Sequence, residues 1–133
     1  MIPFEFSIVG PPISQQAKSG SRNRWKSAVA NAARAALPAG TQPTGSDVAI
    51  RITYYYDGDT PDVDNIIKPI QDALIGVVYV DDCQVVHTQS SRTRIDGSFT
   101  IRGASVVLLN AFSARDPFVH ISVTDPPDMS KLP

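Results

Sequence analysis

Apolar and polar positions alternate or recur along the chain in a way that predicts a short series of elements. Residues 2–9 (IPFEFSIV) partly alternate and predict a strand, ended by Gly10-Pro11-Pro12. Residues 22–37 place Trp25, Val29, Ala32, Ala33, Ala36 and Leu37 at helical spacing, with Arg and Lys on the opposite face, and predict an amphipathic helix. Pro38 ends it, and LPAGTQPTGSD has the composition of an exposed linker over 37–47. From Asp47 to Tyr56, the residues Val48, Ile50, Ile52 and Tyr54 alternate against Ala49, Arg51, Thr53 and Tyr55, as a half-buried strand requires.

The next periodic run, Asp64 to Ile75, sets Ile66, Ile70 and Leu74 on one helical face with Asp64 as N-cap. Pro69 conflicts with a regular helix from that start, so a distorted first turn or a later start is expected. Gly76 ends the helix, and Val77 to Val80 reads as a short apolar strand running into Asp81-Asp82. Cys83 to Arg94 predicts a long strand, Asp96-Gly97 a turn, and Ser98 to Arg102 a strand pairing back. Residues 103–114 (GASVVLLNAFSA) fit either a strand or a short helix near 105–113 capped by Ser105. Residues 118–123 (FVHISV) predict a last strand, and the tail 126–133 is expected to fray. The fold expected is α/β: one small domain over 1–133, a mixed β-sheet packed with two main helices, in the order β-α-β-α-β-β-β.

Length and composition narrow the class. At 133 residues, 42% hydrophobic and 19% charged, the chain suffices for one packed core. No run approaches the roughly 20 apolar residues of a membrane helix. The N-terminus lacks the basic start and apolar stretch of a secretory signal. The lone Cys83 excludes an internal disulfide and a multi-Cys zinc site, and a reducing cytoplasm is the expected compartment.

Charge placement is more telling than the net charge of −1. Twelve of the 13 acids are Asp, and seven of them (Asp57, Asp59, Asp62, Asp64, Asp72, Asp81, Asp82) fall between 57 and 82 against Lys68 alone. Residues 14–36 carry Lys18, Arg22, Arg24, Lys26 and Arg34 with no acid, and Arg92, Arg94 and Arg102 follow the acidic window. Such basic groups are either solvated faces or the footprint of a polyanion.

The candidate chemistry lies in PDVDNIIKPIQDALIGVVYVDDCQV, residues 61–85. Two apart in an extended segment, Asp62 and Asp64 can face one ion. Lys68 and Asp72 follow Asp64 at helical spacing, on the edge opposite the Ile66/Ile70/Leu74 face, and a neighbouring strand can return Asp81-Asp82 to the same place. Bunched Asp carboxylates with one Lys suit Mg²⁺-assisted phosphodiester hydrolysis: the cation takes hard oxygen ligands, and the ammonium supports the phosphate. Without a cation, one of the bunched Asp should hold its proton more tightly. The bland alternatives are an Asp64 that only caps, a Lys68–Asp72 surface pair, and Asp57, Asp59 and Asp96 in solvated turns. His87, His120, Trp25 and Tyr54–Tyr56 read as packing residues, and nothing activates Cys83 as a nucleophile.

The same segment resembles the signature of RusA-type Holliday-junction resolvases: Asp62-Val63-Asp64-Asn65, Lys68, Asp72-Ala73-Leu74, and Asp81-Asp82-Cys83-Gln84-Val85. The resemblance implies a homodimeric endonuclease that uses Mg²⁺, with Mn²⁺ able to substitute, to cut branched DNA such as a four-way junction by paired incisions. No small-molecule cofactor or membrane is implied. Carried over by position, Asp62, Asp64 and Asp82 bind the metal with Asp81 beside them, Lys68 is catalytic, and Asp72 and Asn65 support the site. Lys18, Arg22, Arg24, Lys26, Arg92 and Arg94 are then expected to hold the DNA backbone. A non-cleaving branched- or single-stranded-DNA-binding module is the alternative, and a cation-binding protein without a nucleic-acid partner is a third reading.

Overall fold

A computed structural model describes residues 2–58, 61–96 and 104–130. The elements run β1 (Phe4–Val9), α1 (Ser19–Ala36), β2 (Val48–Tyr56), α2 (Ile67–Leu74), β3 (Val85–Arg94), α3 (Val106–Ser113) and β4 (Phe118–Thr124). The four strands form one mixed sheet in the order β1-β4-β2-β3. β4 pairs antiparallel with both β1 and β2, whereas β2 and β3 are parallel. The parallel pair demands a crossover, and α2 supplies it. The fold is therefore α/β with a mixed sheet, as the periodicity predicts.

One face of the sheet makes the core. Ile50 lies opposite Val123, Ile52 opposite Ile121 and Tyr54 opposite Val119, while Phe6 of β1 faces Ile121 from the other side. All seven are buried, and Trp25, Val29 and Ala33 of α1 with Ile70 and Leu74 of α2 close over them. Complete burial of an Ile or Leu side chain contributes about 1.5–3 kcal/mol, so α2, though only eight residues long, is anchored by packing. Ala36 departs from expectation: it is exposed at the end of α1.

Several boundaries differ from the pattern-based reading for identifiable reasons. α2 begins at Ile67 with Ile66, not Asp64, in the N-cap position and no side-chain cap. This start makes Pro69 the third helical residue, where its missing N–H would have no intrahelical partner anyway. Residues 77–80 are not a strand. Gly76 takes φ +80° and its N–H donates to the Tyr79 carbonyl at 2.7 Å, folding the chain back on itself. Val77, Val78 and Tyr79 then fill the core from a turn, and Tyr79 makes only isolated bridges to Thr44 and Ile75. The strand expected from Cys83 starts at Val85, because Asp82–Gln84 form one 3₁₀ turn.

The stretch that fits either a strand or a helix forms the helix α3 over its described residues, with Ser105 Oγ accepting from Leu108 N at 3.1 Å. The expected return strand 98–102 lies outside the described residues. The observed order is thus β-α-β-α-β-α-β. The 37–47 connection is fastened at Thr44, whose N–H donates to Val78 O at 2.9 Å.

Candidate active site at the β3 edge

The Asp62–Asp64 turn and α2 fold against β3, an outer strand of the sheet among the described residues. Register places Thr88 beside Ile50, Ser90 beside Ile52 and Arg92 beside Tyr54, so these three polar residues occupy the core-facing side of β3. Thr88 and Ser90 are both used. Gln71 of α2 donates from Nε2 to Thr88 Oγ1 at 2.8 Å, and Ser90 Oγ donates to the Val63 carbonyl at 2.6 Å. The first bond ties α2 to the strand. The second ties down the turn that carries Asp62 and Asp64.

Lys68 projects from α2 between two carboxylates. Its Nζ lies 2.8 Å from Asp72 Oδ1 and 3.3 Å from Asp82 Oδ2. Hydrogen bonds to Asp72 and then Asp82 raise the Lys68 pKa, so the ammonium is fully charged at neutral pH. Lys68 and Asp82 are about half exposed, and exposed ion pairs contribute less than about 1 kcal/mol to stability. Folding therefore gains little from this cluster; its value is the local placement of charge.

Asp82 arrives there because the 3₁₀ turn is capped at its N-terminus. Asp81 Oδ1 accepts from Cys83 N at 3.2 Å, and Gln84 Oε1 accepts from Asp81 N at 2.9 Å, a reciprocal capping box. Contact with the Asp82 side chain, followed by the Cys83 N–H, holds the Asp81 carboxyl below the usual carboxylate range. Gln84 is buried and uses both ends of its amide: Oε1 also accepts from Val80 N, and Nε2 donates to the carbonyls of Thr44 and Ser46, each at 2.8 Å. In the sequence Gln84 stands out only by its place two residues after Asp82 and just before Val85-Val86.

Asp62 and Asp64 are exposed in a turn in which Asn65 N donates to Asp62 O at 3.0 Å. Asn65 O accepts from Gln15 N at 2.8 Å, and Gln15 O accepts from Arg22 Nη1 at 3.0 Å. The acidic turn is thereby joined to the loop leading into basic α1, which carries Arg22, Arg24 and Lys26 just after Lys18. Further along β3 from Ser90 come Arg92 and Arg94, both exposed; Arg94 pairs with Asp96 at 3.1 Å and sits 5.7 Å from the Tyr56 ring centre.

A family model described as endodeoxyribonuclease RusA matches residues 12–98, which span α1, β2, α2 and β3. The chain belongs to the RusA family. Its activity class is that of an endonuclease acting on Holliday junctions. β1, α3 and β4 lie outside the matched stretch. No curated protein matches the chain.

The structure joins Lys68, Asp72 and Asp82, with Asp81 adjoining, and sets Asp62, Asp64 and Asn65 in a separately fastened turn. Among the described residues, no three His, Cys, Asp or Glu side chains close around one point. Mg²⁺ usually takes only one or two protein carboxylates, its remaining ligands being water and phosphate oxygens. Asp82 and the Asp62–Asp64 turn offer hard carboxylate oxygens of the kind Mg²⁺ takes.

Trp25, Tyr54 and Tyr55, expected to pack, do so. Tyr55 stacks on Phe118 with ring centres 4.6 Å apart, and Trp25 is buried. His120 Nε2 lies 2.6 Å from Glu5 Oε2.

Proposed function

We propose that this chain is a Mg²⁺-dependent endodeoxyribonuclease that resolves four-way DNA junctions by paired incisions as a homodimer. The observation that carries the reading is the Lys68 ammonium, four residues after Asp64, held by Asp72 and Asp82. Asp62, Asp64 and Asp82, with Asp81 adjoining, would hold the metal. A bound Mg²⁺ supplies charge neutralisation at the scissile phosphate and a more acidic water. Mn²⁺ would serve in its place.

The remaining work falls to side chains. Lys68 offers a fixed positive charge to the phosphate or the departing oxygen, with Asp72 orienting it. Lys18, Arg22, Arg24, Lys26, Arg92 and Arg94 bind the backbone of the arms. Two copies related by a two-fold axis would present one such edge to each of two equivalent strands.

A supercoiled plasmid bearing an extruded cruciform tests the whole reading. Paired incision within one complex gives linear plasmid directly, with Mg²⁺ or Mn²⁺ and not with chelator. Nicked circle as the sole product would refute pairing. Folded protein that leaves both the plasmid and a fixed-core junction uncut with either metal would refute the nuclease reading and favour a binding module.

A further inference from the structure

The core-facing side of β3 is polar where the equivalent faces of β1, β2 and β4 are apolar. Thr88 and Ser90 are half-buried there, and a hydroxyl withdrawn from water is costly unless it finds a partner. Thr88 and Ser90 both find one, and both partners belong to elements that carry site residues. Ser90 grips the carbonyl of Val63, the residue between Asp62 and Asp64.

We propose that Ser90 is a positioning residue, which sets Asp62 and Asp64 at a fixed distance from Lys68 and Asp82. The inference rests on the nuclease reading above. β3 acts as the common ruler. Gln84, just before the strand, holds the Asp81–Asp82 end through the two N–H groups it accepts from. Thr88 holds α2, and with it Lys68 and Asp72. Ser90 holds the remaining acidic pair. Asp62 and Asp64 themselves lie in an exposed turn that is also held by the 3.0 Å bond within it and the 2.8 Å bond from Gln15. Without the Ser90 hydroxyl, Val63 loses the bond that fixes the turn against the strand.

The test compares Ser90→Ala, Ser90→Val and Ser90→Thr. Val and Thr match in shape and both suit a strand, so they separate the hydroxyl from bulk. Three quantities are read: single-turnover cutting of a four-way junction with Mg²⁺, junction affinity in chelator, and hydrogen exchange of residues 62–66. In the Ala and Val variants, cutting should fall between about tenfold and a hundredfold while junction affinity stays within about twofold of the parent. Exchange across 62–66 should quicken in the same two variants, and Thr should restore all three readings. Parent-like cutting and exchange by Ala and Val would overturn the proposal. So would a Thr variant as impaired as Val, because volume would then be the cause. If the parent itself does not cut, the nuclease reading fails on its own, and exchange still decides whether the hydroxyl fixes the turn.

Discussion

The Lys68 ammonium on α2 lies 3.3 Å from the Asp82 carboxylate, fourteen residues further along the chain and beyond a complete reversal at Gly76. That contact closes the helix–turn–3₁₀ segment on itself and sets a cation donor among acids. It also makes Lys68 the side chain whose removal should affect chemistry most and stability least. Lys68→Ala should lower single-turnover cutting by about a hundredfold or more, with junction affinity close to the parent's. Lys68→Arg should rescue poorly, because a planar fork does not replace a point charge. Parent-level cutting by Lys68→Ala would remove the lysine from the mechanism.

Asp64→Asn and Asp82→Asn test the acidic half. Each keeps side-chain size and loses one negative charge at an edge that must receive a polyanion. Cutting should be abolished in both variants, while junction binding in gel shift is retained or tightened through reduced repulsion. Chelation of the metal from the parent protein should reproduce the same split. Wild-type cutting by either variant would reassign the ligands.

Gln84 carries a stability prediction. Its amide satisfies the N–H groups of Val80 and Asp81 and the carbonyls of Thr44 and Ser46, all without exposure of the side chain to bulk water. Gln84→Leu keeps the volume and strands all four groups. The expected cost is about 2–4 kcal/mol, since each unmet buried group costs roughly 1–3 and part of the set can rehydrate. Urea unfolding should show it as a lower midpoint at unchanged slope. A variant as stable as the parent would show that water replaces the amide.

The legible parts of this fold are those whose signal is local. β2 announces itself by alternation, and the alternating residues Val48, Ile50, Ile52 and Tyr54 are all buried, with Ala49 buried besides. Trp25 and Val29 of α1 are likewise buried at their helical spacing. Pro69 warned of a late helix start, and the cost of a proline beyond the first turn sets that start at Ile67. Residues 77–80 misled because Val-Val-Tyr-Val has strand chemistry; the Gly76 turn and the demand for a core plug over Leu74 prevailed. In the candidate site, the Lys68–Asp72 pair followed from helical spacing. The return of Asp82 was expected along a strand and is achieved by a capped 3₁₀ turn. The grip of Ser90 on Val63 and of Gln84 on Thr44 spans 27 and 40 residues. Pairings over such distances leave no periodic trace.

Salt dependence should count the phosphate contacts. With Lys18, Arg22, Arg24, Lys26, Arg92 and Arg94 on the phosphates, junction affinity should fall linearly on a log–log plot against salt. Replacing any one of these with Ala should lessen the slope by about one. Arg94 should matter less than Arg92, because its guanidinium is already engaged by Asp96 and Tyr56. Equal slopes for parent and variants would place the DNA elsewhere.

Ser105 joins α3 to β1 of the sheet, two elements that both lie outside the family match. Its hydroxyl accepts from Leu108 N as the cap of α3 and donates to Glu5 Oε2 at 2.9 Å, and Glu5 in turn lies against His120 of β4. α3 has no fully buried residue, so packing alone holds it weakly, and the cap bears a large share of its attachment. Ser105→Ala should destabilise the protein by about 1–2 kcal/mol, the usual loss for an N-cap with one further bond. The effect should concentrate in α3: hydrogen exchange over 106–113 should quicken several-fold, while exchange in β2 and the junction-cutting rate stay at parent values. Ser105→Asp keeps a capping oxygen but puts a carboxylate beside Glu5, so it should recover the helix less well than Ser105→Thr, which keeps both the cap and the donor. An Ala variant whose α3 exchange matches the parent's would show that contacts such as that of Phe112 with Tyr55 and Phe118 suffice to hold the helix.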